Sequence, residues 1–97
     1  MKEPKAVSPI FSWGSTIMTP KVQAILPSVD LIPLLERHVS GDWGDIDEAD
    51  KARNDAALKS RESLLSVYKT PASPEGEIWV LTEANRSITT FLLPSEY

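Results

Sequence analysis

After Leu64 three short runs, "LLSVYKT", "EIWVLTE" and "SITTFLL", follow one another with only "PASPEG" and "ANR" between them. The runs are rich in Val, Ile, Thr, Tyr, Trp and Phe, which suit a pleated, half-buried surface, and the connectors supply turn residues. Links this short join only neighbouring strands that run in opposite directions, so the end of the chain is confined to a three-stranded antiparallel meander. In the middle run Ile78, Val80 and Thr82 point to one face and Trp79, Leu81 and Glu83 to the other. Both sides of that strand are therefore expected to be largely covered.

The first two thirds read differently. Residues 1–9, "MKEPKAVSP", hold two prolines and alternate charged with small residues, which predicts a flexible arm. In "IFSWGSTIM", Phe11, Trp13, Ser15 and Ile17 fall on one side of an extended chain, giving an N-terminal strand weakened at Gly14. "TPKVQAILP" has Thr19 as N-cap and Pro20 at the first helical position, and Pro27 ends the turn, so a helix of about two turns is expected. The next helix is capped by Asp30, takes Pro33 in its first turn, repeats Leu31, Leu34, Leu35 and His38 along one face and stops at Gly41. A third is expected over residues 46–60, with Asp45 and Glu48 at capping-box spacing, an Ala49, Ala52, Ala56 stripe for close packing, and Asp47–Lys51 and Asp55–Lys59 pairs.

The 97 residues make a single domain, 1–97, of α+β class: an N-terminal strand, two to three helices and the meander, with the helices packed on one face. With no cysteine there are no disulfides, thiolate ligands or thiol nucleophiles. No apolar run reaches membrane-spanning length and the start lacks the apolar core of a signal peptide, which reads as a cytoplasmic protein with no membrane contact. A net charge of −4 argues against direct nucleic-acid binding and for a partner with a basic surface.

Chemistry concentrates in "HVSGDWGDIDEADKARND", where Asp42, Asp45, Asp47, Glu48 and Asp50 place five carboxylates in nine residues around Trp43. A calcium loop does not fit: counted from Asp45 the twelfth position is Ala56, and from Asp42 it is Arg53, where a bidentate Glu belongs. One histidine without cysteine leaves zinc too few ligands, so neither metal nor cofactor is expected. His38 has the chemistry of a general base, but its place on an apolar helix face fits a half-buried core residue. The serines stand in no nucleophile elbow and no glycine-rich phosphate loop is present, so no catalytic residue is assigned. A pocket formed by His38, Glu83 and Arg86 is the alternative, carrying ligand binding or a small enzyme activity; Glu83 and Arg86 in "TEANRS" otherwise make an ordinary hairpin turn.

"LLERHVSGDWGDIDEADKARNDAAL", "LLSVY" and "IWVLTEANRSITTFLLPSEY" together resemble the blocks of a family of small bacterial, phage and plasmid proteins. Its pattern runs through R-H-x-S-G-D-W-G-D and T-E-A-[DN]-R-S-x-T-T-x-L-L-P-x-[ED]-Y. The resemblance covers about two thirds of the chain, with Asn85 where Asp is frequent and Val80-Leu81 where apolar pairs vary. Members are called plasmid-related proteins and sometimes subunit M of a type I restriction-modification system. The chain is too short for a methyltransferase cofactor fold, so what the resemblance implies is a setting, mobile DNA and host defence.

Two readings of the acidic stretch follow. In one it is a helix-to-helix hinge in which Gly41 ends one helix, Trp43 plugs the corner and Asp45 caps the next. In the other Asp42, Asp45, Asp47, Glu48 and Asp50 present charge, with Trp43 as an apolar anchor, to a DNA-handling defence complex of restriction or CRISPR type. The function expected is thus a non-enzymatic, anti-defence interaction factor; a structural or regulatory homodimer joined through the sheet is a further alternative.

Overall fold

The computed structural model describes residues 8–26 and 29–97. Most of the expected N-terminal arm, and the Pro27 stop, lie outside the described residues. The elements follow in the order β1 (Ser15–Met18), α1 (Pro20–Ala24), α2 (Leu31–Val39), α3 (Glu48–Ser60), β2 (Leu64–Lys69), β3 (Glu77–Thr82) and β4 (Ile88–Leu92), closed by a 3-10 turn at Pro94–Glu96. This is the α+β class.

The meander forms as its short turns require, β2 with β3 and β3 with β4, both antiparallel. The N-terminal strand completes a four-stranded sheet of order β1-β4-β3-β2, and it lies parallel to β4, with Ser15 beside Ile88 and Met18 beside Phe91. A parallel pair needs a long crossover, which everything between Met18 and Ile88 supplies. β1 is shorter than "IFSWGSTIM" suggests, because Gly14 has φ +67° and a Cβ there would overlap the Ser87 carbonyl. Phe11 is consequently turned inward, its ring 5.2 Å from that of His38.

One sheet face carries the core. Ile78, Val80 and Thr82 on β3, with Leu64, Ser66 and Tyr68 on β2 and Thr89 and Phe91 on β4, are all essentially inaccessible. Val22 of α1 and the Leu31, Leu34, Leu35 face of α2 pack against them. Trp43, Ala57 and Leu64 form a second cluster with Phe11, Ile46 and Leu58. Thr19 and Asp30 cap their helices as the sequence indicates, accepting from the Val22 and Ile32 N–H groups.

The third helix corrects three expectations. It begins at Glu48 with Asp47 as N-cap, accepting from Asp50 N at 2.8 Å, and not at residue 46 under Asp45. The reason is that residues 43–45 are pinned to β2: Val67 N donates to Trp43 O, and Asp45 N donates to Val67 O. Ala49, Ala52 and Ala56 are exposed; the buried face is Asn54 and Ala57, because the Asn54 amide serves both the N–H and the C=O of Leu65 at the edge of β2. The Asp47–Lys51 and Asp55–Lys59 pairs give way to Lys51–Glu48 at 3.4 Å and Arg53–Asp50 at 3.0 Å, since Asp47 caps the helix and Asp55 accepts from Trp43. Asp47→Ala should therefore cost about 1 kcal/mol and Asp45→Ala only a few tenths. Urea denaturation of both variants checks this; equal losses would contradict the cap assignment.

Candidate functional site

The acidic junction runs along the β2 edge of the sheet. Arg37 stands in the last turn of α2, and its guanidinium reaches the Asp42 carboxylate at 2.6 Å while lying over the Tyr68 ring at 4.5 Å. The Arg37 guanidinium, reinforced by the Gly44 N–H, holds the Asp42 carboxyl below its ordinary range against a smaller opposing effect of burial. The Tyr68 hydroxyl donates to the Asp42 carbonyl at 2.6 Å, and burial pushes its own pKa up. Gly44, at φ +78°, lies so close to β2 that a Cβ would overlap the Val67 carbonyl oxygen. The backbone from Asp42 to Asp45 is thus fixed from both sides.

Trp43 is not an exposed anchor. It is 4% accessible, its indole N–H donates to Asp55 at 3.0 Å, and its ring packs against Phe11 and His38. This burial fits the corner plug and leaves no exposed indole to anchor a partner. The carboxylates themselves do face outward. Asp45 pairs with Lys69 at 2.9 Å, Asp50 with Arg53, and Glu48, almost fully exposed, only loosely with Lys51. Five carboxylates therefore meet four cations, Arg37, Lys51, Arg53 and Lys69, so the field of the cluster is far smaller than its sequence density suggests.

The second candidate, His38 with Glu83 and Arg86, is not gathered around one cavity. His38 is inaccessible, its Nδ1 2.6 Å from Ser66 Oγ and its Nε2 2.8 Å from Thr82 Oγ1. The far end of this chain fixes the proton. Thr89 Oγ1 donates to the Trp13 carbonyl at 2.7 Å, so it accepts from Thr82, 2.7 Å away. The Thr82 hydroxyl, its proton committed, then accepts from His38 Nε2–H, and Nδ1 accepts from Ser66. His38 is a neutral Nε2–H tautomer with both nitrogens satisfied. Burial, then the nearby charge of Arg86, pushes its pKa down to about 3. The Ser66–His38 distance matches that of a nucleophile and base, yet Ser66 too is inaccessible, and a hydroxyl stands where such a pair needs an orienting carboxylate.

Arg86, in the left-handed conformation at φ +62°, is 7% exposed and sends its guanidinium inward. Nη1 donates to the Glu62, Glu83 and Ala84 carbonyls and Nη2 to that of Ala57. It ties the β3–β4 turn to the C-terminal end of α3, where a cation also suits the helix dipole. Glu83 stays exposed in a shallow depression with Ile17, Asn85 and Ile88. Phe11, Asn54, Asp55 and Tyr68, which hold these groups, carry no local sequence signal of their roles. Among the described residues no three His, Cys, Asp or Glu side chains converge as a metal site, and no helix is long and apolar enough to cross a membrane. Comparison with protein-family models, curated proteins and solved structures finds no match for this chain.

Proposed function

We propose that this chain is a non-enzymatic protein-interaction factor of the bacterial cytoplasm that binds a basic protein surface through Asp45, Asp47, Glu48 and Asp50. The observation that carries the reading is the locked junction. These carboxylates stand on backbone tied to β2 and to the start of α3, so little conformational entropy is lost when a partner docks. Their cations are exposed side chains in solvent-screened pairs, which an incoming guanidinium can displace. The mobile-DNA setting implied by the family resemblance supplies the partner class, a DNA-handling complex of restriction or CRISPR type.

The test is protection of an incoming plasmid or phage in a host with an active restriction or CRISPR system. The wild type is compared with an Asp45→Lys, Glu48→Lys, Asp50→Lys variant that retains the Asp47 cap. The expected result is protection by the wild type, loss of it in the variant with unchanged circular dichroism, and capture of a defence component that weakens as salt rises. Equal protection by both proteins would remove the acidic surface from the reading, and no protection by either would remove the anti-defence role.

A further inference from the structure

Of the three residues expected to share a pocket, His38 and Arg86 are spent inside the protein and Glu83 is left facing out. Its surroundings give it a different use. Glu83 N donates to Ile88 O and Arg86 N to Glu83 O, closing the β3–β4 turn. Alternation along the strands then places Glu83 and Ile88 on the sheet face opposite the helices. With Ile17 and Thr90 from the same face, and Asn85 and Ser87 from the turn, they line a shallow hollow of about 490 Å³, within the size range of small-ligand sites.

The rim of this hollow is held still. The Arg86 guanidinium ties the turn to the end of α3, Ser15 N donates to Ser87 O, and Gly14 lies against that same carbonyl. Asn85 Oδ1 accepts from Ser87 N at 3.0 Å and from Ser87 Oγ at 2.6 Å, which fixes the orientation of the amide. Its two N–H donors therefore have no partner in the turn, and Ser87 Oγ, its proton committed, can only accept. The Glu83 carboxylate enters none of the four ion pairs among the described residues, and the nearby Arg86 charge is taken up by main-chain carbonyls. An apolar floor, a carboxylate, a hydroxyl acceptor and an amide donor are thus displayed together on rigid backbone.

We propose that this hollow is a recognition site for an arginine residue of a partner protein. The guanidinium fork donates to the Glu83 carboxylate and to Ser87 Oγ, the methylene stem rests on Ile17 and Ile88, and the arginine's own peptide carbonyl accepts from the Asn85 amide. Each group of the hollow then finds its complement in one residue. Arginine suits it better than lysine, because a guanidinium is planar, weakly hydrated and able to serve two acceptors at once, whereas an ammonium loses more hydration on an apolar floor. An anion is disfavoured by Glu83, and a purely apolar side chain would leave that carboxylate and the Asn85 amide without a partner. The site lies between β1, β4 and β3, away from the acidic junction on the β2 edge, so the inference does not rest on the acidic-surface reading.

Titration of the full chain with N-acetyl-L-arginine amide, followed through backbone amide shifts by NMR, tests it. The expected result is saturable movement of the Asn85, Ser87 and Ile88 signals, with dissociation at about 1 mM for so small a probe in a shallow site. The citrulline analogue, equal in shape but uncharged, and the lysine analogue should each bind about fivefold more weakly. Glu83→Gln should weaken the arginine probe by a similar factor with its circular dichroism unchanged. Glu36→Gln, which removes the same charge from the exposed side of α2, should bind as the wild type does. Absence of saturable shifts at the hollow, equal binding of the citrulline or lysine analogue, or a folded Glu83→Gln variant that binds like the wild type would overturn the proposal. An equal loss in Glu36→Gln would reduce the effect to net charge, and shifts confined to residues 42–50 would move arginine binding to the acidic junction; either would overturn it as well.

Discussion

Lowering the pH from 7 to 4 is expected to remove about 3 kcal/mol of folding stability through His38 alone, and lowering it to 5 about 2 kcal/mol. The unfolded chain binds a proton on this imidazole near pH 6.5, whereas the folded protein resists protonation until about pH 3. Its contribution is whole above the unfolded value and drains as pH falls through the interval between the two. The physical source is the hydroxyl chain: a protonated ring would carry a second N–H against Ser66, and its charge would sit inaccessible, with Arg86 the charged group that acts on it. Since small domains hold only about 5–15 kcal/mol in total, this one group should govern acid unfolding. His38→Gln keeps a donor and an acceptor but does not titrate. Urea midpoints at pH 7, 5 and 4 should fall steeply for the wild type and much less for the variant. The carboxylates titrate in both proteins, so the difference isolates His38. Parallel pH profiles would show that the ring is not held neutral as described.

The residues that reveal themselves in sequence are those whose role is local or periodic. The Leu31, Leu34, Leu35, His38 repeat puts the histidine on the core side of α2, and its burial follows. Thr19-Pro20 and Asp30 mark helix starts because a cap is made within three residues. The meander is legible because its turns are short. The register of α3 is not, since pattern reading looks for apolar faces and this helix packs through an asparagine whose partner is main chain eleven residues on. The junction is half legible. Its carboxylates can be counted, but Lys69, which neutralises Asp45, is far along the chain and its arrival depends on the β2 edge. Trp43 is as compatible with an interface anchor as with a corner plug until Asp55 and Phe11 are seen beside it. The parallel placement of β1 joins the beginning of the described chain to its end, and no local signal encodes it.

Arg86 is the residue whose sequence neighbourhood says least about its work, and its replacement should have the largest effect of any single side chain outside the apolar core. Arg86→Met keeps an unbranched apolar side chain but removes the guanidinium, whose carbon lies 5.8 Å from the Phe11 ring centre, and leaves the Glu62 carbonyl, an acceptor at 2.6 Å, without its cationic donor. It also strips the Ala57, Glu83 and Ala84 carbonyls of one each. Charge-assisted bonds of this kind are worth about 1.5–3 kcal/mol, and Ala57 O is cushioned because Arg61 N and Glu62 N also reach it, so a net loss of about 3–5 kcal/mol is expected. Arg86→Lys, a point charge in place of a planar fork, should recover less than half of that. Arg86→Gly separates guanidinium from backbone. At φ +62° glycine relieves strain, so it should lie roughly 1 kcal/mol above Arg86→Ala while remaining well below the wild type. Urea unfolding of the four variants supplies the ranking, and Arg86→Met within about 1 kcal/mol of the wild type would remove the clamp. The consequence extends to the proposed surface. α3 carries Asp47, Glu48 and Asp50 at one end and meets Arg86 at the other, so releasing its C-terminal end should loosen the acidic display as well. An Arg86 variant that folds at low temperature but protects DNA poorly would tie the two ends of this helix into one device.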